Sequence, residues 1–221
     1  GNENEQSTNQ HDNTNDTDRK GRVIYDATAC PQDIAYPTDL NLLSDAREKL
    51  EELIDHIYTK ELHGLKPRTY REIARKKYLQ TAQKKNKSRK VIRKANRCQL
   101  NFVRRNITIV NKLLDAYQVS NLKFPLNPSQ QKYLFVVQTL YDQQKQMYDS
   151  NTHSVDHRIV SIHQPHVRPI VRGKAQAKVE FGSKIHVSII NGISFLDELS
   201  WDAFNEGSHM MDYIEKYRKR F

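Results

Sequence analysis

Residues 178–196 read KVEFGSKIHVSIINGISFL, and this stretch decides the fold class. Apolar side chains alternate with polar ones through Val179, Phe181, Ile185, Val187 and Ile189. A period of two is that of a strand with one buried face. Asn191-Gly192 follows, and then Ile193-Ser194-Phe195-Leu196. Both turn positions tolerate positive φ, so Asn-Gly between two apolar runs predicts a tight β-hairpin of 178–190 with 193–196.

Upstream the period is helical. Leu43, Ala46, Leu50, Leu53, Ile54 and Ile57 predict an amphipathic helix over 39–62, with Pro37-Thr38-Asp39 as its start signal. A second helix is expected over 68–85, facing inward through Tyr70, Ile73, Ala74, Leu79 and Ala82. A third covers 88–118, with Ile92, Ala95, Phe102, Val103, Ile107, Val110, Leu114 and Tyr117 as its stripe. The fourth runs from a Ser129 cap to about residue 149, through Tyr133, Leu134, Val137, Leu140, Tyr141, Gln144 and Tyr148. Four such helices in a row predict a bundle or long antiparallel hairpins. Before them, Val23-Ile24-Tyr25 is a short β-prone run ending in Asp26, with Pro31 to stop any strand. After them, residues 158–162 look extended, and Gly207-Ser208 opens a last helix with Met211, Ile214 and Tyr217 inward. The expected class is α+β.

The chain has 221 residues, 36 Lys plus Arg against 26 Asp plus Glu, and a net charge of +10. Only 37% of residues are apolar and the mean hydropathy is −0.83. Residues 1–22 hold no aliphatic or aromatic side chain, so they are expected to be a disordered polar linker. No apolar run approaches the roughly 18 residues of a membrane helix, and none precedes Val23 to act as a secretory leader. Cys30 and Cys98 form neither a disulfide framework nor a metal-ligand spacing, which fits a reducing cytoplasm.

The positive charge is concentrated. Between Ile73 and Leu114 there is no Asp or Glu, but there are fourteen bases: Arg75, Lys76, Lys77, Lys84, Lys85, Lys87, Arg89, Lys90, Arg93, Lys94, Arg97, Arg104, Arg105 and Lys112. Like charges at this density repel, and a polyanion relieves the repulsion while releasing counterions. The alternative is a solvated helix face. A second basic group, Arg168, Arg172, Lys174, Lys178 and Lys184, leads into the hairpin. These residues make nucleic acid the expected partner, and no membrane is expected.

Asp26 closes an apolar run, which places a carboxylate at a sheet edge where a metal could sit; otherwise it is a turn residue. His153, His157, His163 and His166 lie close together, but Pro165 interrupts them and no Cys is near, so they read as loop or packing residues. Asp197, Glu198, Asp202 and Glu206 read as helix capping and a solvated face. Trp201 and Phe204 read as core.

Three blocks carry a resemblance. They are Val23–Thr28 with Ile34–Leu43 (VIYDAT, IAYPTDLNLL), Ile162–Lys174 leading into Val179–Lys184 (IHQPHVRPIVRGK, VEFGSK), and Leu199–Glu206 (LSWDAFNE). In this order they resemble bacterial insertion-sequence transposases of the DDE type, from about residue 22 onward. The resemblance implies an RNase-H-like fold: 23–38 the first strand and loop, 39–150 a helical basic insertion, and 151–221 strands two and three with the first helix. Asp26 would be the first catalytic, metal-binding carboxylate. Three carboxylates would hold two Mg²⁺ for phosphodiester cleavage and strand transfer of an insertion sequence. The second Asp and the Glu have no counterpart in this sequence, so the chain is expected to bind DNA without cleaving or joining it. The implied partners are double-stranded DNA, at transposon ends and target, and a second copy in a synaptic dimer. The implied location is bacterial cytoplasm, at the nucleoid. Arg75, Lys76, Lys77, Lys84, Lys85, Lys87, Arg89, Lys90, Arg93, Lys94, Arg97, Arg104, Arg105, Arg168, Arg172, Lys174 and Lys184 are the expected DNA contacts. Two other classes stand beside this one: a non-catalytic DNA-binding regulator, and a helical assembly protein with an acidic partner.

Overall fold

The computed structural model describes residues 22–171 and 179–220. The expected linker, except Arg22, lies outside the described residues, as do Arg172, Lys174 and Lys178. The fold is α+β, as the change of period predicts. In chain order it runs β1 (Val23–Pro31), α1 (Asp39–Ile57), α2 (Lys60–His63), α3 (Arg71–Ala82), α4 (Arg89–Val119), α5 (Pro128–Ser150), β2 (Arg168–Val171), β3 (Val179–Ile190), β4 (Ile193–Ser200) and α6 (Glu206–Arg220). The strands form one four-stranded sheet in the order β1-β3-β2, with β4 also paired to β3. The chain divides into two compact units.

The larger unit comprises Ala29–Lys184 and Ser200–Phe204. Its core is built on α1, whose Leu42, Leu43, Ala46, Leu50, Leu53, Ile54 and Ile57 pack with Leu100, Val103, Val110 and Leu113 of α4 and Leu134, Val137 and Leu140 of α5. Thr38 caps α1 by accepting from the Asn41 amide at 3.2 Å, as its sequence signal predicts. The cap of α5 differs from expectation. Asn127 rather than Ser129 is the N-cap, in a capping box with Gln130, and Pro128 occupies the first turn. Because α1 is covered on several sides, polar residues are enclosed with it. Arg47, 1% exposed, makes a two-pronged bond to Glu51 at 2.8 and 2.9 Å. Burial pushes the Glu51 carboxyl above its usual range despite the hydrogen bond and charge of Arg47. On α3 only Ala74 and Thr81 are buried, and Ile73 is half exposed, contrary to its expected inward role.

Residues 158–162, expected to be extended, belong to no helix or strand and do not join the sheet. Ile159, Val160 and Ile162 are buried, and the Ile159 amide donates to the Gln143 side chain at 2.9 Å. A side-chain acceptor from α5 takes the place of a ladder partner. The strand that does form, β2, runs antiparallel to β3 with Arg168 opposite Gly182 and Pro169 opposite Phe181. Gly182 is required by close approach. A Cβ there would overlap the carbonyl oxygen of Cys30 and lie 3.0 Å from Pro31 Cα.

The smaller unit comprises the described residues up to Thr28, Ile185–Leu199 and Asn205–Arg220. The Asn-Gly hairpin is present, with φ of 51° at Asn191 and 83° at Gly192. The phase of β3 differs from expectation: His186, Ser188 and Ile190 are the buried residues over its second half, while Ile185, Val187 and Ile189, expected to form the buried face, are half-buried. α6 turns differently from expectation. Tyr213, 1% exposed, is its main inward residue, while Met211 is 68% exposed. The flat Tyr213 ring stacks on His186 with centroids 3.5 Å apart, which sets the phase of the helix.

Candidate functional site

Asp26 is the fourth residue of a nine-residue strand, not its last. The chain continues extended through Ala27-Thr28-Ala29-Cys30 to Pro31. Small and β-branched side chains there let the strand persist until a residue that cannot donate to the ladder. Along β1 the residues alternate between exposed Ile24, Asp26 and Thr28 and half-buried Val23, Tyr25 and Ala27. The Tyr25 ring packs toward His186, with centroids 5.7 Å apart, and toward Tyr213 at 6.5 Å. Asp26 therefore projects from the opposite face of the strand, into water.

As a metal ligand, Asp26 offers hard oxygens. One carboxylate suits a single hydrated Mg²⁺ that shares its remaining positions with phosphate oxygens; it does not supply the ligands for two ions. No group of three His, Cys, Asp or Glu able to hold a metal occurs among the described residues.

Asp197 and Glu198 of the smaller unit are engaged with α6, contrary to their reading as caps on a solvated face, whereas Asp202 is exposed as that reading expects. Asp197 is 3% exposed; its Oδ2 lies 3.5 Å from His186 Nδ1 and its Oδ1 lies 3.7 Å from Arg220. Glu198 accepts from the Tyr213 hydroxyl at 2.6 Å and lies 3.3 Å from His209 Nδ1. Burial, with the bond and charge of Glu198, pushes the Tyr213 phenol well above its usual range. The physical reason is that these acids belong to β4: alternation sets Asp197 on the face of His186, and the longer Glu198 side chain reaches Tyr213 and His209 from the neighbouring position. The missed signal is the ring-bearing His186 on the partner strand of the hairpin.

The basic residues sort into two kinds. All fourteen between Arg75 and Lys112 lie on α3, α4 or the turn between them, and all but half-buried Arg105 are exposed. Some are tied to the fold. Arg93 donates to the Tyr148 carbonyl at 3.0 Å and to Asn151 at 3.2 Å, and its guanidinium covers the Tyr148 ring at 4.1 Å. Arg105 stacks 4.0 Å over Tyr70, and Lys77 sits 5.8 Å over Phe102. Others, including Lys90, Lys94, Arg97, Arg104 and Lys112, form no ion pair among the described residues. In the second basic group, Arg168 donates to the carbonyls of Pro165 and Val167, and Lys184 to that of Phe204 at 2.8 Å.

Of the histidines of 153–166, His163 Nδ1 lies 3.0 Å from the Tyr133 hydroxyl, His166 packs edge-on against Trp201, and exposed His157 lies 3.9 Å from Asp202. Phe204 lies beneath Lys184 at 4.7 Å. Comparison of this chain with protein-family models, curated proteins and solved structures finds no match.

Proposed function

We propose that this chain is a DNA-binding portion of a DDE-type transposase with an RNase-H-like core, in which Asp26 is the first metal-binding carboxylate. The observation that carries the reading is the acid-free run from Ile73 to Leu114, whose fourteen bases almost all face water. A protein keeps such a self-repelling surface at a cost in stability, and a phosphodiester backbone offsets it. The exposed position of Asp26 on β1 and the three sequence blocks support the transposase class in particular.

In this reading the chain's own residues bind and position DNA, and Asp26 contributes one ligand. Mg²⁺ would supply Lewis-acid activation of a phosphoryl oxygen. A single carboxylate does not organise two ions, so the chain alone binds DNA without cutting it. A second reading is a non-catalytic DNA-binding regulator, for which the exposed basic run suffices without any metal.

The two are separated by Mn²⁺ titration of the DNA-bound chain. Paramagnetic broadening of the Tyr25–Ala27 amides, lost in Asp26→Asn, supports the metal-ligand role. Broadening that survives the substitution, or is absent from β1, removes Asp26 from the reading and leaves the regulator. Mg²⁺-dependent nicking by the intact chain, abolished by Asp26→Ala, would show that the chain is a working enzyme.

A further inference from the structure

The structure gives the basic run an internal geometry that its composition does not. On α4, Ala95, Gln99, Leu100, Val103, Asn106, Val110 and Leu113 are buried. Lys90, Lys94, Arg97, Arg104 and Lys112 follow one another at steps of 4, 3, 7 and 8 residues, and all five are exposed. At 100° per residue these steps return to the same side of the helix, opposite the buried stripe. Asn101 and Thr108 complete that side, also exposed, so no apolar residue interrupts it. From Lys90 to Lys112 the ridge is about 33 Å long at 1.5 Å per residue.

We infer that this ridge of α4 is a track for one phosphodiester backbone of duplex DNA, and that Arg93 and Arg105, in the same basic run, are not part of it. The inference rests on the nucleic-acid reading above and assigns its contacts to one helix face. Three observations favour a polyanionic backbone over other partners. The ridge lacks the aromatic or apolar anchors that dominate protein–protein interfaces. The apolar side of α4 is already used against α1, so none remains to enter a lipid surface. The ridge cations make no ion pair among the described residues: Asp149, which lines a pocket with Arg97 and Arg104, is taken by Lys145, and Asp142, which lines the next pocket with Arg104, pairs with none of them. Arg93 and Arg105 are held instead by Tyr148 and Tyr70.

A backbone track without base-edge contacts binds duplexes of any sequence, and each neutralised phosphate contributes about −0.9 to the slope of log K against log salt. Five contacts give a slope of about −4.5, an affinity loss of roughly 500-fold between 50 and 200 mM salt. The test uses the intact 221-residue chain and a 30-base-pair duplex of arbitrary sequence. The expected result is that Arg97→Gln with Arg104→Gln makes the slope shallower by about 1.8. Arg93→Gln with Arg105→Gln removes the same charge and leaves the slope unchanged, and circular dichroism confirms that both pairs of variants remain helical. Equal slope changes for the two pairs, or none for the ridge pair, overturn the ridge while leaving DNA binding intact. Failure of the parent chain to bind duplex at 50 mM salt overturns the nucleic-acid reading itself. Displacement of the duplex by polyglutamate at equal charge concentration would assign the ridge to an acidic protein instead.

Discussion

The imidazole of His186 and the carboxylate of Asp197 meet across the β3–β4 hairpin, with 3.5 Å between Nδ1 and Oδ2 and both side chains shut away from water. Tyr213 covers the imidazole and Arg220 approaches the other carboxylate oxygen. Asp197→Ala leaves buried polar groups facing a void, at an expected cost of about 1–3 kcal/mol. Hydrogen exchange at Ile185–Ile190 measures it, because these amides belong to the same unit. Asp197→Asn keeps the shape and is expected to recover part of the loss. Unchanged protection in Asp197→Ala would mean that the contact holds nothing together.

Arg47 and Glu51 pose the opposite case, a buried pair inside one helix. Arg47→Met leaves Glu51 enclosed without its partner, and the expected loss is about 3–5 kcal/mol. Replacing both, Arg47→Met with Glu51→Leu, removes two desolvation penalties together with the attraction. The double variant is expected to be at least as stable as the parent to urea. A double variant as unstable as Arg47→Met would show that packing around the methylene stem, not charge, decides the site.

Much of the fold was legible because local chemistry and tertiary demand agree. The Asn191-Gly192 turn, the apolar face of α5 and the Thr38 cap each answer a backbone requirement written within a few residues. The misreadings fall where a distant element decides. Ala27–Cys30 carries only modest strand preference, so the length of β1 depends on its pairing with β3. Asp197 looks like a surface acid until α6 is laid over it. For residues 158–162, expected only to be extended, the partner was the illegible part: Gln143 supplies the hydrogen bond that a neighbouring strand would have given. At the candidate interface, the excess of charge was legible and its sorting was not. Whether an arginine stands free or rests on a tyrosine depends on residues 35 to 58 positions away, as with Arg105 over Tyr70 and Arg93 on Asn151.

Gly182 offers a test of backbone proximity. In Gly182→Ala the new methyl group meets the Cys30 carbonyl and the Pro31 backbone, neither of which can rotate aside. β1 must shift, at an expected cost of about 1–3 kcal/mol. The Gln32 amide, bonded at 2.8 Å to the Phe181 carbonyl, is expected to lose exchange protection. Gly207→Ala is the control: its Cβ would meet nothing closer than 3.5 Å, in the first turn of α6. That change is expected to be neutral or to stabilise by up to about 1 kcal/mol. Equal effects at the two positions would contradict the steric account.

The junction of α3 with α1 is expected to depend on pH through Asp55. Its carboxylate receives Lys66 Nζ at 2.7 Å and the Arg71 guanidinium at 2.8 and 2.9 Å. Burial alone would raise this carboxyl, but the two hydrogen bonds and positive charges outweigh it and hold it below the usual range. A carboxylate depressed in the folded state stabilises above its unfolded value, near 3.9, and loses that contribution as pH falls through the folded value. Asp55→Asn is therefore expected to be less stable than the parent at pH 7, by at most about 1 kcal/mol because the pair is partly exposed. The difference should shrink as the solution is acidified below pH 4 and should weaken in 1 M salt at neutral pH. Urea titrations of both proteins from pH 7 to pH 2.5 measure it. A difference that stays constant across that range would show that Asp55 acts through packing or its amide-equivalent hydrogen bonds, and that its charge contributes nothing to holding α3 in place.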